Sequence, residues 1–214
     1  MKIACLDMEG TLTPEIWEQV AKDTGIDDFM KTTRDIPHYD DLMDYRIKLM
    51  KENKLTLSDI KYSIGKMDLL DGAQTFLQNI RKYFQVVILS DTFYEFAMPL
   101  MSKMDFPLLL CHKLNVGDLE QIEGYDLRHS KAKKQAIEAF NQIGYKCIAA
   151  GDSYNDTQMF EVAEHGFFIN APSSISSQYP HIPSFSNYND LLDAFYSVKA
   201  VSYTHLTLPT TLNV

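Results

Sequence analysis

The chain has 214 residues, 45% of them hydrophobic and 23% charged, with a formal net charge of -9. That length suits one domain with an insertion or two small domains, and the composition is that of an ordinary soluble protein. The acidic balance lacks the basic footprint of a nucleic-acid binder, and no apolar run approaches the roughly 20 residues that span a membrane.

The first apolar run, Ile3-Ala4-Cys5-Leu6, ends in Asp7. It is too short and too acidic for a signal peptide. Helical patterns follow at Glu15–Thr24, stopped by Gly25, at Tyr39–Glu52, and at Leu57–Met67 after Thr56 and Ser58. No strand-like run interrupts residues 14–71. A helical pattern over 73–83 leads to the second run, Val86-Val87-Ile88-Leu89, which ends in Ser90-Asp91. A run at 108–111 suggests a further strand. The pattern at 132–143 is helical, with Ala136, Ile137 and Phe140 on one face. The run Cys147-Ile148-Ala149-Ala150 then ends in Gly151-Asp152, and 167–169 can supply another strand. The tail from about Ala200 has no charge and no clear period, and is expected to be non-native or disordered.

Continuous rather than alternating apolar runs suit strands buried on both faces, as in a parallel sheet covered by helices. Strands alternating with helices give an α/β fold. The expectation is a Rossmann-like core from residues 1–13 and 72–199, a small helical cap from 14–71 inserted after the first strand, and a tail at 200–214. Cys5, Cys111 and Cys147 are odd in number with apolar neighbours, and read as reduced core thiols suited to the cytoplasm.

Three strand ends carry an acid. Open α/β sheets bind ligands outside the carboxyl ends of their strands, so Asp7, Asp91 and Asp152 can converge. One such acid alone is better read as a turn or cap residue; three on equivalent runs favour a site. In Asp7-Met8-Glu9-Gly10-Thr11, one carboxylate can attack phosphorus while the other moves protons. Asp7, at the strand terminus, is the better nucleophile candidate. Ser90-Asp91-Thr92 offers a hydroxyl and backbone N–H groups to phosphate at a strand-to-helix turn. Among Lys131, Lys133 and Lys134, helical phase aligns Lys133 with Ile137 and Phe140, so Lys133 points inward. The alternative is a snorkelling surface lysine. Gly151-Asp152-Ser153-Tyr154-Asn155-Asp156 offers hard oxygen ligands of the kind Mg²⁺ takes. Arg46 shares a stripe with Met43, Ile47 and Met50, so it either snorkels or reaches into a closed site. Glu15 opens its helix, where an acid is favoured in any case. No two histidines have zinc-ligand spacing, and Trp17 and the methionines read as packing.

In this order the motifs resemble the haloacid dehalogenase superfamily of aspartate-nucleophile phosphatases, over residues 1–199. The runs Ile3–Gly10, Pro14–Trp17, Thr33–Pro37, Val86–Phe96 and Ala149–Asp156 resemble a bacterial subgroup of phosphoserine phosphatases that also transfer phosphate to homoserine. Glu9 stands where most of the superfamily has Asp, and the subgroup has Glu. The resemblance implies Asp7 as nucleophile and magnesium ligand, Glu9 as acid/base and ligand through its carbonyl, and Asp152 as the other protein ligand. It implies Ser90, Asp91, Lys133 and Asn155 at the phosphate, and Glu15 and Arg46 at the substrate's ammonium and carboxylate. Phosphoserine is then the donor and water or homoserine the acceptor, with Mg²⁺ as cofactor. Competing readings are a phosphatase of a sugar phosphate or nucleotide, and an aspartate-phosphorylated signalling module without turnover. Such modules lack the helical insertion and the Gly-Asp-x-x-Asn-Asp segment. The sequence leaves monomer and homodimer both open.

Overall fold

The computed structural model describes residues 1–200. The expectation for the tail therefore falls almost wholly outside the described residues. The first strand is β1 (Lys2–Leu6), followed by α1 (Ile16–Thr24), a short 3-10 turn at Asp27–Met30, α2 (Tyr39–Glu52), α3 (Leu57–Gly65) and α4 (Ala73–Ile80). Then come β2 (Gln85–Phe93), α5 (Tyr94–Met101), β3 (Leu108–Val116), β4 (Ile122–Asp126) and α6 (Ala132–Gln142). The chain continues through β5 (Lys146–Gly151), α7 (Tyr154–Phe160), β6 (His165–Ile169), α8 (Ser173–Ser176), β7 (Ser184–Phe185) and α9 (Tyr188–Ala200).

The seven strands form one sheet in the order β4-β3-β2-β1-β5-β6-β7. Every pair is parallel except β3 with β4. The continuous apolar runs divide by alternation, as side chains on a strand must. Ala4, Leu6, Ile88, Ile148 and Ala150 face the core under α4, α5 and α9. Ile3, Cys5, Val87, Leu89, Cys147 and Ala149 face a second core under α6 and α7. The fold is thus an α/β sandwich with helices on both faces.

Within residues 14–71 the regular elements are all helical: α1, the 3-10 turn, α2 and α3. Gly25 ends α1 in the left-handed region at φ 69, and its N–H bonds to the Ala21 carbonyl. Thr56 and Asp59 cap α3 reciprocally. In α2 the buried face carries Leu42, Met43, Arg46, Ile47 and Met50. No helix among the described residues is long and apolar enough to cross a membrane.

β2, β3 and β6 run longer than expected, and β4 and β7 were not expected at all. β2 does not end at Ser90-Asp91 but continues to Phe93, directly before α5. The expected strand-to-helix turn at Ser90-Asp91-Thr92 is therefore a stretch of strand. Its pairing with β3 shifts register between Leu89 and Phe93, so the regular ladder is interrupted there. β3 runs beyond its pairing with β2 and folds back against β4 as an antiparallel hairpin. Buried Ile122 is the main apolar anchor of β4, too little for a periodic signal. The hairpin meets α2 through Tyr125, whose hydroxyl donates to Asp40 Oδ1 at 2.7 Å.

Candidate active site

The site forms at the carboxyl ends of β1, β2 and β5, which lie side by side in the sheet. Asp7 directly follows β1. Its N–H bonds to the Ala150 carbonyl at 2.9 Å, and its Oδ1 accepts from the Met8 N–H at 2.7 Å. The chain then doubles back, with the N–H groups of Leu12 and Thr13 both on the Met8 carbonyl. Gly10 adopts φ +70, and a Cβ there would lie 2.3 Å from Asp152 Oδ2. Glycine is thus required for both the turn and the close approach. On the other side Thr11 Oγ1 donates to Asp152 Oδ1 at 3.2 Å.

Asp152 follows β5 and leads into α7, which begins with a reciprocal cap between Ser153 and Asp156. Asp156 is fully buried. Its Oδ2 accepts from the N–H groups of Asp152 (3.0 Å) and Ser153 (2.9 Å) and from Ser153 Oγ (3.0 Å). Its Oδ1 accepts from Lys133 Nζ at 2.8 Å. Lys133, in the first turn of α6, also lies 2.9 Å from Asp7 Oδ2 and 3.6 Å from Asp91 Oδ2. Burial pulls the Lys133 ammonium down, but Asp156, Asp7 and Asp91 outweigh it and hold it well above its ordinary value. The acids bear the remaining repulsion. Burial, then Asp156, pushes the Asp7 carboxyl well above the usual range against the pull of Lys133. Burial, then Asp156, raises Asp152 to about 7.

Ser90 is buried, and its Oγ accepts from the Thr92 N–H at 3.3 Å. Asp91 Oδ1 lies 3.7 Å from His112 Nε2, while His112 Nδ1 accepts from the Arg128 N–H at 3.0 Å. Asn155 is exposed and lines a cavity of about 300 Å³ together with Asp91, His112, Lys131 and Lys133.

A second group sits against the first. Glu9 Oε2 accepts from the Ile16 N–H at 3.0 Å. Burial, then the Glu15 charge, raises the Glu9 carboxyl to about 7. Glu15 stands at the N-cap of α1 but makes no side-chain cap bond. Partial loss of hydration, then Glu18, raises its carboxyl. Arg46 is buried, with Nη2 donating to the Lys31 carbonyl at 2.8 Å and its guanidinium 4.4 Å from the Trp17 ring centre. Its Nε is buried without an acceptor. Burial lowers the guanidinium to about 10, opposed by Glu9, Tyr39 and Glu15. So the helix α2 turns Arg46 inward, and Trp17 is its shelf as well as a packing residue.

A family model described as haloacid dehalogenase-like hydrolase matches residues 1–164. The chain belongs to this family. The phosphoserine phosphatase ThrH of Pseudomonas aeruginosa is 48% identical over 202 residues, covering 94% of this chain and 98% of that protein. A phosphoserine phosphatase of Pseudomonas syringae pv. tomato is 45% identical over 195 residues, 91% of this chain and 82% of that one. Among solved structures, a substrate-bound phosphoserine phosphatase complex aligns with a TM-score of 0.75 at 18% identity, over 91% of this chain and 98% of that chain. A phospho-aspartyl intermediate analogue of phosphoserine phosphatase aligns with a TM-score of 0.71 at 18% identity, over 86% and 92%. At such identities these two attest the fold.

For a haloacid dehalogenase-like hydrolase the donor set is chemically apt. Asp7, Asp152 and Asp156 bring carboxylate oxygens within 4.8 Å of one another, the one such group among the described residues. Three buried or half-buried carboxylates face a single ammonium, and hard oxygens in excess negative charge suit a divalent cation. From the sequence, Asp156 enters only as part of the segment offering magnesium ligands, and Thr11 and His112 are given no role. The signal for Asp156 was present, since an acid four residues after Asp152 returns to the same side of a helix. Thr11 sits inside the first motif. His112 carries no local signal, because its partners Asp91 and Arg128 are distant in sequence.

Proposed function

We propose that the chain is a magnesium-dependent phosphoserine phosphatase that works through an aspartyl-phosphate on Asp7, with homoserine able to replace water as acceptor. The observation that carries this is Asp7 itself, a buried carboxylate at a strand end, 2.9 Å from Lys133, with oxygens of Asp152 and Asp156 within 4.8 Å. The names of the two Pseudomonas relatives support the substrate.

Asp7 and Asp152 are the side-chain ligands for Mg²⁺, with the Glu9 carbonyl as the third protein group. Asp156 serves as their buttress, since it is fully buried and its two oxygens together accept four hydrogen bonds. The cation supplies neutralisation of the charge that Asp7 and the phosphate dianion bring together, and of charge that develops as phosphorus is attacked. Ser90, the Asp91 backbone, Lys133 and Asn155 hold the phosphoryl oxygens. Arg46 takes the substrate carboxylate through its planar fork, and Glu15 takes the ammonium. Helices 14–71 act as a cap that excludes water until the first step is complete.

An Asp7 carboxylate oxygen forms a bond to phosphorus, the bond from phosphorus to the serine oxygen breaks, and Glu9 gives that oxygen its proton. A water molecule then loses a proton to Glu9 and attacks phosphorus. The bond to Asp7 breaks, releasing phosphate and restoring the carboxylate. A Glu9 carboxyl near 7 can serve in both directions at neutral pH. When homoserine enters, its hydroxyl takes the place of water and leaves as phosphohomoserine. The cytoplasm is the compartment in which we place this chemistry.

The test is incubation of the protein with phosphoserine and Mg²⁺, with and without homoserine, following both phosphate and phosphohomoserine. Phosphate release that stops in EDTA is expected. No turnover of phosphoserine, or faster turnover of a sugar phosphate, overturns the substrate. A phosphate signal undiminished by homoserine, with no phosphohomoserine formed, removes the transfer activity.

A further inference from the structure

We infer that Tyr188, beyond the segment matched by the family model, is a positioning residue for the metal-side carboxylate: its hydroxyl holds Thr11, and Thr11 holds Asp152. This rests on the proposed magnesium site but assigns it a support from the far end of the chain. The Tyr188 hydroxyl donates to the Thr11 carbonyl at 2.7 Å in a buried contact. Thr11 is 1% exposed, so without that donor its carbonyl is left to whatever the interior can offer. The next carbonyl, Leu12, is bonded by the Leu70 N–H at 2.9 Å. The outer side of the catalytic loop is thus fastened to the layer of α4 and α9, and its inner side to Asp152 through Thr11 Oγ1.

Tyr188 is itself held in place. Its ring stacks on Phe76 with centroids 5.3 Å apart. Gly72, at φ +87, leaves room for it: a Cβ there would come within 3.2 Å of the ring. Asn187 and Asp190 exchange hydrogen bonds across the first turn of α9, where Tyr188 begins the helix. The hydroxyl is therefore delivered by a rigid ring on a capped helix, the arrangement expected of a group that orients a ligand through another residue.

The test compares Tyr188→Phe, which keeps the ring, with Thr11→Val, Thr11→Ser and the double variant Tyr188→Phe/Thr11→Val. Mg²⁺ binding is read by calorimetry on the protein alone, and melting temperature is recorded beside it. Tyr188→Phe and Thr11→Val are each expected to weaken Mg²⁺ about 10-fold. The double variant should be little worse than either single one, because both cut one chain of contacts. Thr11→Ser should restore binding. With saturating Mg²⁺ the KM for phosphoserine should stay unchanged in Tyr188→Phe. A wild-type Mg²⁺ affinity in Tyr188→Phe, or multiplied losses in the double variant, overturns the inference. Should Tyr188→Phe fail to fold, wild-type affinity in Thr11→Val overturns it equally. Failure of the unaltered protein to bind Mg²⁺ instead removes the metal reading, and the inference with it.

Discussion

Lys133 and Asp7 form a buried ion pair of 2.9 Å, and the same ammonium lies 2.8 Å from Asp156. Lys133 is 5% exposed, so this charge is stabilised by its carboxylates rather than by water. Replacing it with Met leaves those carboxylates without their cation. In EDTA at pH 7.5, Lys133→Met should lose about 3–5 kcal/mol of stability, read by urea unfolding. In Mg²⁺ its kcat on phosphoserine should fall about 10²–10³-fold, as for loss of one donor to a developing oxyanion. Equal stability of the two proteins in EDTA would falsify the ion-pair account.

Arg46 enters the site with its Nε buried and unbonded, and with Glu9 and Glu15 as charged neighbours. A substrate carboxylate would satisfy that donor. Arg46→Ala should raise the KM for phosphoserine about 10- to 100-fold, the loss of one or two charge-assisted hydrogen bonds. Arg46→Lys should not rescue it, since a point charge cannot reproduce the fork. Phosphoethanolamine, which lacks the carboxylate, serves as the control. Equal losses on both substrates would place Arg46 in cap packing and not in recognition.

The contrast between these two cations and the rest of the site marks where sequence stops being informative. Helical phase placed Lys133 and Arg46 on apolar faces, because a long amphipathic helix leaves one face for the core, but for Arg46 it left snorkelling open. The strands β1, β2 and β5 were equally legible, since a run such as Ile3-Ala4-Cys5-Leu6 can be buried only with both faces covered. β4 was not, because its pairing with β3 depends on a hairpin rather than on its own pattern. The extension of β2 through Asp91 was hidden by polar residues that resemble a turn; pairing with β3 lapses after Leu89 and resumes only at Phe93. Tyr188 and His112 act across 177 and 16 residues of sequence respectively, and no local pattern announces a partner at such a distance.

The acids of the site give the metal-free protein an unusual pH dependence. Burial first, and neighbouring acids second, raise Glu9 and Asp152 to about 7 from ordinary values of 4.5 and 3.8. The folded protein therefore binds more protons than the unfolded one in this interval. The stability linked to these groups is complete below about pH 4 and is lost as pH rises through 7. Lys133, held high, adds no slope there. Scanning calorimetry in EDTA should find Tm falling from pH 5 to pH 8. Mg²⁺ binds the ionised carboxylates, so it should raise Tm more at pH 8 than at pH 5. A Mg²⁺ effect that is larger at pH 5 contradicts this assignment.

Gly10 and Gly25 separate backbone strain from crowding of the site. Both adopt the left-handed region, at φ +70 and φ +69. A side chain at either should cost about 1–2 kcal/mol for the backbone alone. Around Gly25 nothing lies within 4 Å of an added Cβ, whereas at Gly10 the Cβ would stand 2.3 Å from Asp152 Oδ2. Gly25→Ala should therefore lose only that stability and keep its kcat and Mg²⁺ affinity. Gly10→Ala must also displace the carboxylate that Thr11 holds, so its Mg²⁺ affinity should drop about 10-fold or more. Chemical denaturation and calorimetric Mg²⁺ titration of the two variants give the comparison. Similar Mg²⁺ affinities in both would mean that Asp152 can move without consequence, and that the close approach at Gly10 serves the turn and not the metal.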